Sequence, residues 1–577
     1  MNLHLWAPNA RQVEVEIAGS RRAMQPLTGG WWQLTAVTHG TDYGFLLDGE
    51  GPFPDPRSPW QPAGVHGPSR CLDHHRFAWG DSGWQAPPLA CAIIEEIHIG
   101  TFTPEGTFAG AIKHLDHLVD LGITHVELMP VAEFPGERGW GYDGVDLYAP
   151  HHAYGGPEGL KGLVDACHRK GLAVLLDVVY NHLGPEGNYL ARFGPYFTDA
   201  YNTPWGDAVN LDRAGSDQVR DFFIDNALMW LRDYHIDGLR IDAVHAIIDT
   251  SALPFLEQLH QAVQGLAAQL GRHLVLIAEN DRNDPRLMGS PQAGGYGLDA
   301  MWNEDFHHAL HSVLTGEKGG YYQDFGHLAD LAKALTQGLV YDGRYSQYRQ
   351  QRHGRPPSGL SGRHFIGFLQ NHDQTGNRPH GERSAQLLSE GLLHIGAALL
   401  MTAPFVPLLF QGEEWAASTP FQYFTDHQDP VLAQKVREGR GNEFAATGID
   451  PESLPDPQDQ NTFEACRLNW PERKLPPHTH MLAWHKALIG LRRATPALTD
   501  DCLARSNVHF DEDARWLLLE RSTILIACNL AQARQRIPYP QRQPKQLLLA
   551  SRTGAVLEDE AIFMPGESVA ILAVDPS

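Results

Sequence analysis

The first 85 or so residues alternate apolar and polar positions in short bursts, VEVEI at Val13 to Ile17 and YGFLLDG at Tyr43 to Gly49, between glycine- and proline-rich turns. A period of two puts alternate side chains on one face, so residues 1–85 predict a small antiparallel, immunoglobulin-like β-sandwich. The stretch DPRSPWQPAGVHGPS, Asp55 to Ser69, is too rich in proline and glycine for regular structure and reads as loop leading to a boundary near residue 85.

From there the rhythm changes to continuous apolar runs separated by helix-period segments, the pattern of parallel strands covered by helices. Four runs lie at Cys91–Gly100, Ile123–Val131, Leu172–His182 and Gly238–His245, and four more at Leu274–Asn280, Asp299–Asp305, Phe365–Asp373 and Pro404–Glu414. Amphipathic segments at Ala111–Gly122, Glu158–Gly171 and Ser216–His235 fall between them. Eight such units predict an α/β fold, a (β/α)8 TIM barrel over 86–500. A doubly wound sheet would use the same local elements, but it usually carries a glycine-rich phosphate turn after its first strand, and none follows Gly100. After a last helical segment, His480–Ala494, alternation returns in RWLLLER, TILIACNL, QLLLASR and SVAILAV, predicting a C-terminal antiparallel β domain over 501–577.

Length fits this multi-domain reading, because single cores stop growing near about 250–300 residues and the chain has 577. The net charge of -24, with no basic run, argues against nucleic acid and anionic lipid as partners and favours a solvated monomer. The six cysteines are scattered without a C-x-x-C pair, which suits reduced thiols in a cytoplasm. The opening MNLHLWAPNA reads as neither an export signal nor an anchor.

Barrel chemistry sits at the carboxyl ends of strands, so the polar residues that end the apolar runs are the candidates. They are Asn181 and His182 on the third strand, Arg240, Asp242 and His245 on the fourth, Glu279 on the fifth, and Asn371, His372 and Asp373 on the seventh. Three carboxylates, an arginine and histidines at one mouth suit cleavage of a glycosidic bond, which needs a nucleophile, a proton donor and support for an oxocarbenium-like transition state. Arg240 and Asp242 share a strand face, so the guanidinium can hold the carboxylate ionised, while neighbouring negative charge raises Glu279 toward the protonated form. A single carboxylate at a strand end is often only a loop anchor or helix cap. Matched groups on four strand ends go beyond that.

DVVYNH (Asp177–His182), GLRIDAVH (Gly238–His245), AEN (Ala278–Asn280) and QNHDQ (Gln370–Gln374) resemble, in order and spacing, the four sequence regions of the α-amylase superfamily, glycoside hydrolase family 13. The resemblance implies Asp242 as nucleophile, Glu279 as general acid/base and Asp373 as transition-state stabiliser. It also implies that His182, Arg240 and His372 hold the transferred glucosyl unit, with Tyr142 stacked on it and His245 among the substrate contacts.

Longer stretches, among them Met129–Lys161, Asn181–Leu190, Thr203–Asn210, Trp302–His308 and Glu413–His427, resemble the malto-oligosyltrehalose trehalohydrolase family across nearly the whole chain. That resemblance implies cleavage of the α-1,4 bond beside the terminal trehalose of maltooligosyl trehalose, with trehalose as product. It also implies substrate roles for Asn303, Asp305, His307, Gln374, Asn377 and Arg378.

Adjacent histidine pairs, His74/His75, His151/His152 and His307/His308, are expected to point to opposite faces, and no H-E-x-x-H spacing occurs, so neither metal nor other cofactor is expected to take part. The segment from Leu183 to about Gly215 is short for the calcium-holding insertion of many amylases, and a structural calcium stays open. Trp140, Tyr142, Trp205, Trp302, Tyr321, Tyr322, Tyr423 and Phe424 fall where βα loops are predicted, as sugar-stacking rings or as packing. Other readings of the same site are a glucan branching enzyme, a debranching hydrolase, and an inactive glycan-binding scaffold. The last would normally have lost one of the three carboxylates.

Overall fold

A computed structural model describes residues 1–445, 448–539 and 543–575. Eight parallel strands close a barrel: β1 (Ile94–Ile97), β2 (His125–Leu128), β3 (Ala173–Val178), β4 (Gly238–Ile241), β5 (Val275–Ala278), β6 (Ala300–Trp302), β7 (Phe365–Phe368) and β8 (Val406–Phe410). They pair in chain order, and β8 returns to β1 through Leu408↔Ile94. Each strand falls inside one of the eight apolar runs, and every run continues past its strand into the loop at the barrel mouth. Strands covered on both faces have no polar side to show, which is why the runs are continuous rather than alternating.

The barrel interior is filled by Ile94, Leu175, Ile277, Trp302, Phe368, Val406 and Leu408 among others. Two residues further along three of these strands the same inward face carries Glu96, Asp177 and Glu279, so the filling turns from apolar to ionisable toward the mouth. The register Asp177↔Arg240↔Ile277 sets an arginine beside an aspartate in that upper layer.

Helices α1 (Gly156–Arg169), α2 (Ser216–Asp233), α3 (Phe255–Leu270) and α4 (Glu304–Thr315) cover the outside. The helix expected over Ala111–Gly122 is two short ones, Phe108–Ile112 and Leu115–Leu121, and Gly122 ends the second with the left-handed φ of 102° that a C-cap glycine supplies. Two hairpins rise from mouth loops, Phe197–Thr203 with Gly206–Val209 after β3, and Asp342–Ser346 with Gln351–Gly354 after β6.

Ahead of the barrel, Leu3–Trp6, Trp31–Leu34 and Gln25–Pro26 form one sheet, and Val13–Ile17 pairs with Ser20–Ala23 and Asp42–Leu47 in another. Arg57 ties this part to the barrel, donating to Tyr148 Oη at 3.0 Å and to Asp225 at 2.8 Å. Beyond the barrel a five-stranded antiparallel sheet runs through Ser506–Asp511, Trp516–Arg521, Ile524–Asn529, Ser568–Ala573 and Gln546–Ala550. Arg521 fastens it with a hydrogen bond to the Thr402 carbonyl at 2.7 Å. Among the described residues no helix is long and apolar enough to cross a membrane.

Candidate active site

Asp242 and Glu279 are the first residues after β4 and β5, and Asp373 lies in the helical turn His372–Gly376 that follows β7. Together with Tyr142, His182, His245 and His372 they line a cavity of about 330 Å³ at the carboxyl ends of the strands.

Arg240 organises the floor. It is fully buried, and its Nη1 donates to Asp242 Oδ1 at 2.8 Å and to Asp177 Oδ2 at 2.7 Å, while Nη2 stands 3.6 Å from Glu279 Oε2. The guanidinium carbon lies 4.1 Å from the ring centre of Trp302, a cation–π contact that fixes its plane. Asp242 also accepts from Asn181 Nδ2 at 2.8 Å through its other oxygen, so both oxygens act as acceptors, the pattern of a carboxylate.

Glu279 accepts the Ala243 backbone N–H at 2.6 Å. Burial raises its pKa to about 8, and Asp242 and Asp373 push the same way against Arg240. Neighbouring charge is the cause expected from sequence, and desolvation is the larger one. The two candidate catalytic carboxyls thus differ: one spans two donors, the other holds its proton at neutral pH.

A second chain of bonds braces the opposite wall. His372 Nδ1 meets Glu96 Oε1 at 2.5 Å, and its Nε2 lies 2.9 Å from Tyr142 Oη, which donates to Asp177 Oδ2 at 2.6 Å. Burial alone would lower His372, yet Asp373 and Glu96 lift it to about 9, so the ring is cationic at neutral pH. Asp177 is raised to about 7 by burial, against the pull of Arg240. Neither Glu96 nor Asp177 stood among the predicted site residues; both are strand-interior carboxylates, and their even spacing from Ile94 and Leu175 was the available signal.

His182 Nε2 meets the Tyr142 carbonyl at 3.1 Å, and its ring stacks on Trp205 at 4.3 Å, with Trp205 about half exposed at the tip of the first mouth hairpin. His245 Nδ1 accepts from the Asp281 backbone N–H at 3.2 Å. Asn377 donates to Asp373 Oδ1 at 3.2 Å. Arg378 is held by Glu317 through two hydrogen bonds of 2.8 and 3.0 Å.

Three predicted substrate contacts do not reach the cavity. Asn303 is fully buried, capping α4 by accepting from Phe306 N and donating to the Gly338 carbonyl. Asp305 is buried under Asn283 Nδ2 and the Val340 and Tyr341 N–H groups. His307 spans the Leu369 carbonyl and Tyr322 Oη. The physical reason is that a helix starts at Glu304, so these side chains turn inward to hold the β6–α4 junction. Gln374 is placed differently, donating to Glu304 Oε2 at 2.7 Å.

Of the aromatic residues expected in loops, Trp302 instead belongs to β6 and is fully buried, and Phe424 is buried as packing. The histidine pairs also need correction. The chain leaves its strand at Pro150, so His151 and His152 stack at 4.7 Å and, with Glu133, bring ligand atoms within 4.8 Å of one another. Those atoms are engaged: Glu133 accepts His152 N and Nδ1 at 2.9 and 2.6 Å, and His151 meets Ala153 N and the Phe134 carbonyl.

Residues 74–204 match the sequence family described as alpha amylase, catalytic domain, and residues 503–571 match a domain of unknown function, DUF3459. A malto-oligosyltrehalose trehalohydrolase of Arthrobacter ramosus is 52% identical over 85% of this chain and 87% of its own length. One from Mycobacterium tuberculosis is 47% identical over 99% of both. The 1.4 Å crystal structure of a Salmonella typhimurium protein named for alpha amylase superposes with a TM-score of 0.92 at 37% identity, covering 99% of this chain and 97% of that one. With a closed eight-stranded barrel and this level of identity over its full length, the chain belongs to the malto-oligosyltrehalose trehalohydrolase family of α-amylase-type glycoside hydrolases.

Proposed function

We propose that this enzyme cleaves the α-1,4-glucosidic bond beside the terminal trehalose of maltooligosyl trehalose by double displacement, with Asp242 as nucleophile, Glu279 as acid/base and Asp373 as transition-state stabiliser. The observation that carries the assignment is Arg240 joined to Asp242 at 2.8 Å while Glu279, on the next strand, keeps its proton to about pH 8. Glu279 gives that proton to the oxygen leaving with trehalose as Asp242 attacks the anomeric carbon, forming a glucosyl ester. The ionised glutamate then takes a proton from water, whose oxygen displaces Asp242 and frees a maltooligosaccharide with its α configuration. Cationic His372 and Arg240 offset the negative charge gathered around the positive, oxocarbenium-like ring, and Tyr142 supplies a stacking face beside it.

His182, His245, Gln374, Asn377 and Arg378 belong to the substrate-binding set in this reading. The division into 1–85, 86–500 and 501–577, a monomeric state and a cytoplasmic location complete it, the monomer in keeping with the charge of -24 and the location with the scattered cysteines.

The test is chromatography of products from maltopentaose and from its trehalose-terminated counterpart. Free trehalose from the second substrate alone is the expected result. New α-1,6 branches from amylose would instead identify a glucanotransferase.

A further inference from the structure

We infer that Glu304 is a further specificity-determining residue: its carboxyl, held by Gln374, forms the polar wall that receives hydroxyl groups of the departing trehalose. The inference rests on the proposed function, because it places the leaving group on the side of Glu279.

The β6–α4 junction turns its side chains two ways. Asn303, Asp305 and His307 point into the protein, whereas Glu304 and His308, four apart on the helix, share another face, with Glu304 Oε2 3.7 Å from His308 Nε2. Glu304 is about one-fifth exposed, so its carboxyl reaches solvent while the side chains on either side of it do not. The one hydrogen bond it makes among the described residues is through Oε2, from Gln374 at 2.7 Å. Gln374 Oε1 lies 3.4 Å from Tyr321 Oη, so the amide is held from both ends and aims the carboxyl.

The charged groups around Glu304 are Glu279 and Asp281 beyond β5, Asp373 beyond β7, Arg240 on β4 and His308 on its own helix. Burial, then Glu279, Asp373 and Asp281, raise its pKa well above the ordinary value, with Arg240 opposing. In its protonated form the carboxyl can donate through Oε1 and accept through Oε2, and in its ionised form it accepts through both, so either form can pair with a sugar hydroxyl. β6 follows β5 in the barrel, which sets the start of α4 beside the strand end that carries the acid Glu279 and across the ring from the β2 end that carries Tyr142, and Glu279 is the charged group that acts most strongly on Glu304. That is the leaving-group side.

The test compares wild type, Glu304→Ala and Glu304→Gln on two substrates that share a maltotetraosyl donor. One carries trehalose as leaving group, the other 4-nitrophenol, which offers no hydroxyl groups to bind. For Glu304→Ala, kcat/KM on the trehalose substrate falls about tenfold, chiefly through KM, and by at least fivefold more than on the nitrophenyl substrate. Glu304→Gln, which keeps a donor and an acceptor, recovers most of that loss. Equal losses on both substrates for alanine, or a glutamine variant as poor as alanine on trehalose alone, would overturn the inference. If wild type releases no trehalose from the first substrate, it is the proposed function that fails, and the two failures are distinguishable.

Discussion

The raised pKa of Glu279 makes the enzyme's alkaline limb a direct reading of its site. With a value of about 8 the acid form makes up about nine-tenths of the enzyme at pH 7, half at pH 8 and about one-tenth at pH 9. Since kcat/KM reports the free enzyme, the Glu279 titration alone should leave it near its plateau through pH 7 and lower it about fivefold from pH 8 to 9, with a slope approaching one. His372 loses its proton near 9, so the slope steepens from one toward two above that point. The assay is trehalose release at substrate well below KM, in buffers from about pH 5 to 10. Asp373→Asn removes one of the two negative neighbours that hold the glutamate up, so Glu279 should titrate below 8 in that variant. Difference infrared spectroscopy of the carboxyl band reads this without needing activity. A wild-type limb already falling below pH 6, a profile flat to pH 10, or an unmoved Glu279 in Asp373→Asn would refute the reasoning.

Three further outcomes follow from particular contacts. Tyr142→Phe removes the hydroxyl that joins His372 to Asp177 at 2.9 and 2.6 Å, and kcat/KM should fall about 10- to 100-fold in steady-state assays with the fold intact by circular dichroism. Gly376→Ala sets a Cβ 2.0 Å from Trp140 Cζ2, in a ring held by the Gln422 carbonyl and by Phe421, so denaturant titration should show a loss of about 1–3 kcal/mol together with reduced activity. Arg57→Ala cuts the bonds to Tyr148 and Asp225 at the seam between the first sheets and the barrel, and calorimetry should record about 1–3 kcal/mol less stability with kcat/KM within twofold of wild type.

The barrel was legible because its physics is local: each strand is buried on both faces, so each is a short apolar run, and the mouth residues follow at its end. Asp242, Glu279 and His372 sit where that rule puts them. The support behind them was not legible, since Glu96 and His372 are 276 positions apart and meet only because β1 closes the ring beside β8, next to β7. The change from strand to helix at Glu304 was the harder local signal. Past Trp302 residues three or four apart share a face, which pairs Glu304 with His308 and Asn303 with His307, while Asp305, on the other side of the helix, is taken up by Asn283 and the Val340 and Tyr341 N–H groups. His151 and His152 converge for a similar reason, because the strand stops at Pro150 and the period of two stops with it.

Double displacement through an ester on Asp242 fixes the anomeric outcome of one turnover, which reports the nucleophile most directly. Proton NMR of maltooligosyl trehalose during its first minutes with enzyme should show the new reducing end appearing as the α-anomer, with β following only by mutarotation. A β-anomer that appears first would mean that water attacks the sugar directly and that Asp242 is not the nucleophile.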